Sequence, residues 1–467
     1  MRKDLPLTIE NIKIIDVSSK GKSIAKYNDI IIFVDGGVPD DICDITVFRK
    51  KRKYWEANIK KIISHSKKRT IPECEHFGTC GGCKWQNINY KDQLIFKQNQ
   101  IINNFKKIAS LEIPKYKEIK SANNIYYYRN KLEFTFSNNR WLTQKEITSL
   151  EKIEDKNACG FHIPGMFNKI VKINKCHLQK DPSNNIRLSI TKFAKENKLS
   201  YYDIKEKKGL LRNLMIRNSS QDEIMVLIQF FDDDIKKINL LMNHIKEAFP
   251  DITSLLYTIN QKGNSTIYDQ EIICYYGKKY ITEKIEGLYF TIGPKSFFQT
   301  NSEQVKILYK EIKKLSKINS TDIVYDLYTG TGTIAQYLAS NAKKIIGIDS
   351  VNEAIDLACN NAKKNNINNC SFYTGDMKEI FNNEFINKNS RPNIIITNPP
   401  RDGMHKKVIE QILNIDPIKI IYISCNSATQ ARDISLLEKR YKTKIMQAVD
   451  MFPQTYHVEN IAVLEKK

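Results

Sequence analysis

From about residue 281 onward, short apolar runs alternate with helical stretches, and no other feature limits the possible folds as much. Apolar runs at 323–327 and 344–348 flank a helical segment at 334–339, and a helix at 351–365 follows. Strands at 371–373 and 393–397, a helix near 406–413 and a strand at 418–424 continue the pattern. Strand–helix alternation at this spacing predicts an α/β fold built on a doubly wound, largely parallel sheet. Ligands in such sheets sit beyond the carboxyl ends of the strands. Three features fall at such ends: a glycine loop after 323–327, an Asn-Pro-Pro turn after 393–397, and Cys425.

The loop reads Asp326-Leu-Tyr328-Thr-Gly330-Thr-Gly332-Thr-Ile-Ala335. Its Gly-x-Gly-x-x-Ala spacing lets the backbone approach a ligand closely, as in dinucleotide folds, so this motif alone leaves a nicotinamide enzyme open. It is not a Walker loop, because no Gly-Lys-Ser/Thr follows. Asp326 stands four residues before the first glycine. A carboxylate there suits the cationic, amino-bearing end of S-adenosylmethionine and would repel a pyrophosphate. Asp349 closes the next strand and is placed to accept both ribose hydroxyls. In amino-methylating enzymes an Asn-Pro-Pro turn ends in an aromatic that stacks on the target base. Here Asn398-Pro-Pro ends in Arg401, which argues against methylation of an exocyclic amine. The Pro-Cys pair expected of a cytosine-C5 enzyme is missing from this turn.

Cys425 stands where the buried strand Ile420-Ile-Tyr-Ile-Ser424 leaves the sheet, flanked by Ser424 and Asn426. Carbon-5 of uracil is a poor nucleophile and needs activation before it can take a methyl group. A thiolate adding to carbon-6 makes carbon-5 enolate-like, carbon-5 then attacks the sulfonium methyl, a base next removes the carbon-5 proton, and the thiolate leaves. Cysteine suits this work because its thiolate is strongly nucleophilic and its pKa responds to its site. Glu459, in His457-Val-Glu459-Asn, is the candidate base, with His457 ranked second.

Outside this half, Cys74-x5-Cys80-Gly-Gly-Cys83 brings three thiols into ten residues, with glycines that let the chain wrap tightly. That spacing points to a metal and leaves zinc and an iron–sulfur cluster both open, with Cys159 or Cys176 as the fourth ligand. Cys43, Cys274, Cys359 and Cys370 read as ordinary thiols, since ten cysteines in 467 residues are too sparse for a disulfide scaffold. A net charge of +22 favours a polyanionic partner, most simply nucleic acid. Strand-like runs at 12–17, 21–26, 29–34, 41–48 and 54–63 suggest a small β-barrel, a shape that often binds oligonucleotides. Its Arg49-Lys50-Lys51-Arg52-Lys53 run precedes Tyr54 and Trp55, rings able to stack on bases. Residues 63–280 read as a mixed α/β unit with a helix-like stretch at 90–109 and strands at 131–136, 213–217, 223–230 and 254–259. No apolar run approaches the ~18 residues of a membrane span, and the N-terminus turns polar before a signal core forms. A cytoplasmic protein without a membrane partner, acting as a monomer, is expected.

Taken together, Ser296-Phe-Phe-Gln299-Thr-Asn301, the glycine loop, Asn398-Pro-Pro-Arg-Asp-Gly403, Ser424-Cys-Asn-Ser-Ala-Thr429 and His457-Val-Glu459 resemble the uracil-C5 RNA methyltransferase family. With the barrel, similar to a TRAM domain, and the cysteine cluster, the resemblance covers nearly the whole chain. It implies a Rossmann-like class I methyltransferase domain at 281–467, a TRAM/OB-like RNA-binding barrel at 1–62 and an iron–sulfur, RNA-binding α/β domain at 63–280. It implies Cys425 as nucleophile and Glu459 as proton acceptor. Gln299, Tyr328, Asp349 and Asn398 fall at positions that contact S-adenosylmethionine or lie beside it. It also selects Cys176 to join Cys74, Cys80 and Cys83 around a [4Fe–4S] cluster. The segment Tyr126-Tyr-Tyr-Arg129 resembles a stretch near the family's active site, where Arg129 is a candidate phosphate contact. Three positions depart from the family: Asn398 where many members have Asp, Ser427 where Pro is usual, and Thr329 where Cys is frequent. The expected product is 5-methyluridine in large-subunit (23S) ribosomal RNA. A tRNA uracil-C5 methyltransferase is the nearest alternative, and a non-catalytic iron–sulfur RNA-binding protein the alternative of another class.

Overall fold

The computed structural model describes residues 6–111, 115–149 and 153–467; residues 1–5, which open the polar N-terminal stretch, lie outside these. Five strands, Leu7–Val17, Ser23–Tyr27, Ile30–Asp35, Ile42–Lys50 and Tyr54–Ser64, close into a barrel. Alternating residues turn inward, as period-two patterning requires. Ile14, Ile32, Val34, Ile45, Val47 and Ala57 fill the interior without exposure. At one end Asp41 is fully buried and accepts from the Val38 and Ser66 amides, at 2.7 and 2.9 Å. Arg69 closes the same carboxylate at 2.6 Å and so fastens the exit chain to the barrel.

The C-terminal part is built on an eight-stranded sheet. Its order is Cys370–Thr374, Lys344–Asp349, Ile323–Leu327, Ile394–Thr397, Lys419–Ser424, Glu459–Lys466, Tyr441–Val449 and Tyr116–Lys120. The first five run parallel, and Glu459–Lys466 returns antiparallel between its two neighbours. The central strands are buried on both faces and read as unbroken isoleucine-rich runs, as parallel strands under helices do. The eighth strand, Tyr116–Lys120, comes from far upstream. Just before it, the helix Tyr90–Asn104 runs into a π turn at Phe105–Ala109, and Ile101 and Phe105 join the core of this sheet. The interval 63–280 therefore contributes to two sheets.

The second sheet has seven strands, ordered Ile273–Gly277, Ser254–Ile259, Ile224–Phe230, Leu211–Asn218, Lys131–Ser137, Ala158–Ile163 and Met166–Lys172. Helices Ser183–Glu196 and Ile235–Ala248 cover it, burying Ile186, Ile190, Leu241 and Ile245 in one core. Among the described residues no helix is long and apolar enough to cross a membrane.

Candidate active site

The parallel strands end together. Register pairs Leu327 with Ile348 and Thr397, and Thr397 with Tyr422. Tyr328, Asp349, Asn398 and Cys425 therefore emerge along one edge of the sheet. The glycine loop turns there under strain, with Tyr328 at φ +62° in the left-handed region that a bulky side chain seldom adopts. Gly332 has to be glycine on two counts. Its φ is +72°, and a Cβ would stand 2.7 Å from the Phe372 ring. At Gly330 a Cβ would meet nothing within 4 Å, so the backbone there faces open space.

Two carboxyls border that space. Asp349 Oδ2 accepts from the Gly330 amide at 2.9 Å and Oδ1 from the Val351 amide at 3.0 Å. Asp326 is 1% exposed. Thr329 donates to its Oδ2 at 2.6 Å, while Oδ1 has no partner. Burial pushes this acid up to about 7, opposed by the Thr329 hydrogen bond. A backbone hydrogen bond from Ala335 also opposes the rise. The Thr329 departure thus supplies a hydroxyl to Asp326. Ser427, the other departure beside the site, accepts from the Asn104 amide at 2.8 Å. Asn398 is half-buried, and its own amide donates to Leu327 O at 3.3 Å.

Register also pairs Ser424 with Asn460. Cys425 follows that pair in the turn where its strand ends, and Glu459 opens the neighbouring strand, near enough for its charge to act on the thiol. Burial, then the Glu459 charge, push the Cys425 thiol up to about 11, while Arg401 pulls it down by charge and hydrogen bond. Glu459 is 4% exposed and its Oε2 has no partner. Burial pushes its carboxyl up to about 8, again opposed by Arg401. His457 is held down to about 4, first by burial and then by Arg401, so its imidazole is neutral. Arg401 is the functional residue that sequence reasoning noted without giving it a role. Its carbonyl accepts from Asn426 Nδ2 at 2.9 Å and Thr429 Oγ1 at 3.0 Å, which binds the Asn-Pro-Pro-Arg turn to the Cys425 turn.

The loop before Glu459 is held from outside. Five consecutive carbonyls each accept from another part of the chain. Gln304 donates to Asp450 O at 2.8 Å, Asn301 to Met451 O at 3.1 Å and Lys97 to Phe452 O at 3.0 Å. Tyr128 donates to Pro453 O at 2.9 Å, and the Lys84 and Trp85 amides to Gln454 O at 3.0 and 3.1 Å. Gln299 comes close to this loop through Asn301. Its own carbonyl is held by Asn130 Nδ2 at 3.0 Å.

Cys74, Cys80, Cys83 and Cys176 line a single cavity of about 360 Å³, with Arg129, Lys131, Thr300 and Thr455 also on its wall. Cys159 is not among its lining residues and is fully buried elsewhere. Among the described residues no group of three or more His, Cys, Asp or Glu side chains is arranged to hold a metal ion. Thr300 and Thr455 place the cavity one residue from Gln299 and four from Glu459.

Residues 276–467 match the family described as tRNA (uracil-5-)-methyltransferase. An RNA methyltransferase of Bacteroides thetaiotaomicron is 48% identical over 452 residues, covering 96% of this chain and all of that one. One of Porphyromonas gingivalis is 45% identical and covers 97% of this chain and 99% of its own. The crystal structure of Pyrococcus abyssi tRNA (uracil-54, C5)-methyltransferase with S-adenosyl-L-homocysteine superposes with a TM-score of 0.73 at 26% identity. It covers 97% of this chain and 99% of its own, so the α/β methyltransferase fold is shared along nearly the whole length.

Proposed function

The chain belongs to the RNA methyltransferases, and from that premise we propose that it methylates C5 of a uracil in RNA through a covalent adduct on Cys425. The observation that carries this reading is the nearness of Cys425 and Glu459, whose charge acts on the thiol, just beyond the paired Ser424 and Asn460. S-adenosylmethionine, when bound, supplies an electrophilic methyl group. The residues present fit it: open space at Gly330, and the half-buried Asp349 carboxyl beside that glycine for its ribose. Tyr328, Asn398 and Gln299 complete the surroundings.

Arg401 opposes, by charge and hydrogen bond, the burial that pushes the Cys425 thiol up to about 11. The thiolate forms a bond to C6, and the electron pair of the C5=C6 bond moves toward O4. Carbon-5 would then take the methyl group that S-adenosylmethionine supplies, the S–CH3 bond breaking with its electron pair kept by the sulfur of the departing S-adenosylhomocysteine. Glu459 takes the C5 proton, the double bond re-forms and the sulfur leaves. His457 is a weaker candidate base because its lowered pKa leaves it a poor proton acceptor.

The parallel sheet is read as a Rossmann-like class I domain and the barrel as a TRAM-type RNA-binding module. The four-cysteine cavity supports a [4Fe–4S] cluster held by Cys74, Cys80, Cys83 and Cys176. Such a cluster would be held by Cys74, Cys80 and Cys83 from one loop and by Cys176 from another segment. It supplies no electrons, because methyl transfer has no net electron change. Stoichiometric iron and sulfide are expected in anaerobically purified protein, and stoichiometric zinc would refute this assignment.

Large-subunit ribosomal RNA is the proposed substrate. The likeness to the Pyrococcus enzyme favours tRNA as the second reading. RNA carrying 5-fluorouridine is expected to trap wild type covalently, because fluorine blocks proton removal, and not to trap Cys425→Ala. Trapping that survives Cys425→Ala would end the adduct reading. Nucleoside mass spectrometry of rRNA and tRNA from cells with and without the gene decides the substrate.

A further inference from the structure

Lys97 and Asp450 form an ion pair with no exposure of either side chain, Nζ to Oδ1 at 2.6 Å, and the reaction above does not use it. Two buried charges are expensive, and an apolar pair of similar volume is often at least as stable. A geometric role accounts for the pair. Lys97 also donates to Phe452 O at 3.0 Å, and Asp450 accepts from the Tyr90 hydroxyl at 3.0 Å and the Phe452 amide at 3.1 Å. The hub thus grips the first turn of the loop that begins after Val449. Glu459 ends that loop, paired with Val449 across the sheet. With no partner on Oε2, the carboxyl takes its placement from the backbone.

We propose that Lys97, acting through Asp450, is a positioning residue for proton removal, holding Glu459 within reach of the C5 proton after methyl transfer. In that step the C5–H bond breaks and its electron pair restores the C5=C6 bond. The C6–S bond breaks with its pair returning to the Cys425 sulfur, and the proton passes to a Glu459 oxygen. The inference rests on Glu459 being the base, and the experiment separates the two.

The test uses the full-length protein with its native metal content and an rRNA or tRNA transcript of ordinary uridine that wild type methylates. Turnover, denaturant-stable protein–RNA adduct, melting temperature and S-adenosylhomocysteine affinity are measured. If Glu459→Gln turns over without accumulating adduct, the base assignment fails and the positioning role falls with it. If Glu459→Gln accumulates adduct, Lys97→Met is expected to accumulate it too. Its turnover is expected to fall about 10- to 100-fold, the effect of a roughly 1 Å misplacement, with S-adenosylhomocysteine affinity unchanged. Tyr90→Phe takes one hydroxyl from the hub and is expected to move the same way by less. It decides alone should Lys97→Met fail to fold. Lys97→Met/Asp450→Asn removes both charges, and its melting temperature is expected to recover while adduct persists. Turnover recovering in step with melting temperature, or no adduct in the Lys97 and Tyr90 variants, overturns the positioning role.

Discussion

A carboxyl held at about 8 by burial, as Glu459 is, ties stability to pH with a definite sign. Its ordinary value is 4.5. Between the two, the folded chain keeps a proton that the unfolded chain has released, so stability falls as pH rises and the full penalty is present above about 8. Glu459→Gln is therefore expected to raise the melting temperature by several degrees at alkaline pH, from a gain on the order of a few kcal/mol, and to leave it nearly unchanged in mild acid. Thermal scans at the two pH values check this, and an equal gain at both would show that Glu459 does not carry the perturbed proton. The same perturbation makes wild-type turnover rise with pH toward 8 if proton removal limits it. Cys425 and Glu459 were singled out in the sequence because the proposed chemistry on uracil would need a thiol and a base. Lys97 was not. It sits four residues from both Gln93 and Ile101 on the buried face of its helix, and its partner lies 353 positions away.

Helix Ser427–Leu437 begins directly after the nucleophile turn, and its cap does two things. Asn426 Oδ1 accepts from the Ala428 amide at 3.1 Å, while Nδ2 donates to Arg401 O at 2.9 Å. Losing a cap costs about 1 kcal/mol, whereas losing the donor frees the turn that carries Arg401. Asn426→Ala is expected to lose both. Asn426→Asp keeps an acceptor for the cap but cannot donate to Arg401 O. Both variants are expected to slow trapping by 5-fluorouridine RNA about tenfold, and only Asn426→Ala to lose stability as well. Denaturant melts beside trapping rates check this, and full-rate trapping by Asn426→Asp would show that the link to Arg401 is dispensable. Most of the elements could be read from the chain, since isoleucine runs and glycine punctuation mark the central strands. Strand Tyr116–Lys120 could not. It is five residues with only Ile119 buried, and its pairing with Tyr441–Val449 leaves no local trace.

At the scale of the molecule, the barrel reaches the loop before Glu459. A Cβ at Gly21, in the turn after the first strand, would stand 2.6 Å from the Tyr456 ring, and Trp85 Nε1 donates to Gly21 O at 3.2 Å. The five-strand barrel was visible as short strand-like runs between turn signals. The contact of Gly21 with Tyr456 was not, because it joins residues whose nearness depends on the finished fold. The barrel also carries the basic hairpin whose charge suggested nucleic acid. Arg49 is partly neutralised by Glu56 at 3.6 Å. Lys50 lies over Trp55 at 4.7 Å and Lys51 over Tyr54 at 5.1 Å, and both remain exposed, as does Lys53. Cations that contact phosphates release counterions, at about 0.7 per contact on single-stranded RNA. Lys50→Ala/Lys51→Ala/Lys53→Ala is therefore expected to reduce the slope of log affinity against log salt by about 2, with trapping at saturating 5-fluorouridine RNA unchanged. Titrations at several salt concentrations measure the slope. An unchanged slope would mean that RNA does not run over this hairpin, and the barrel's role would then be confined to its contact with the loop that carries Glu459.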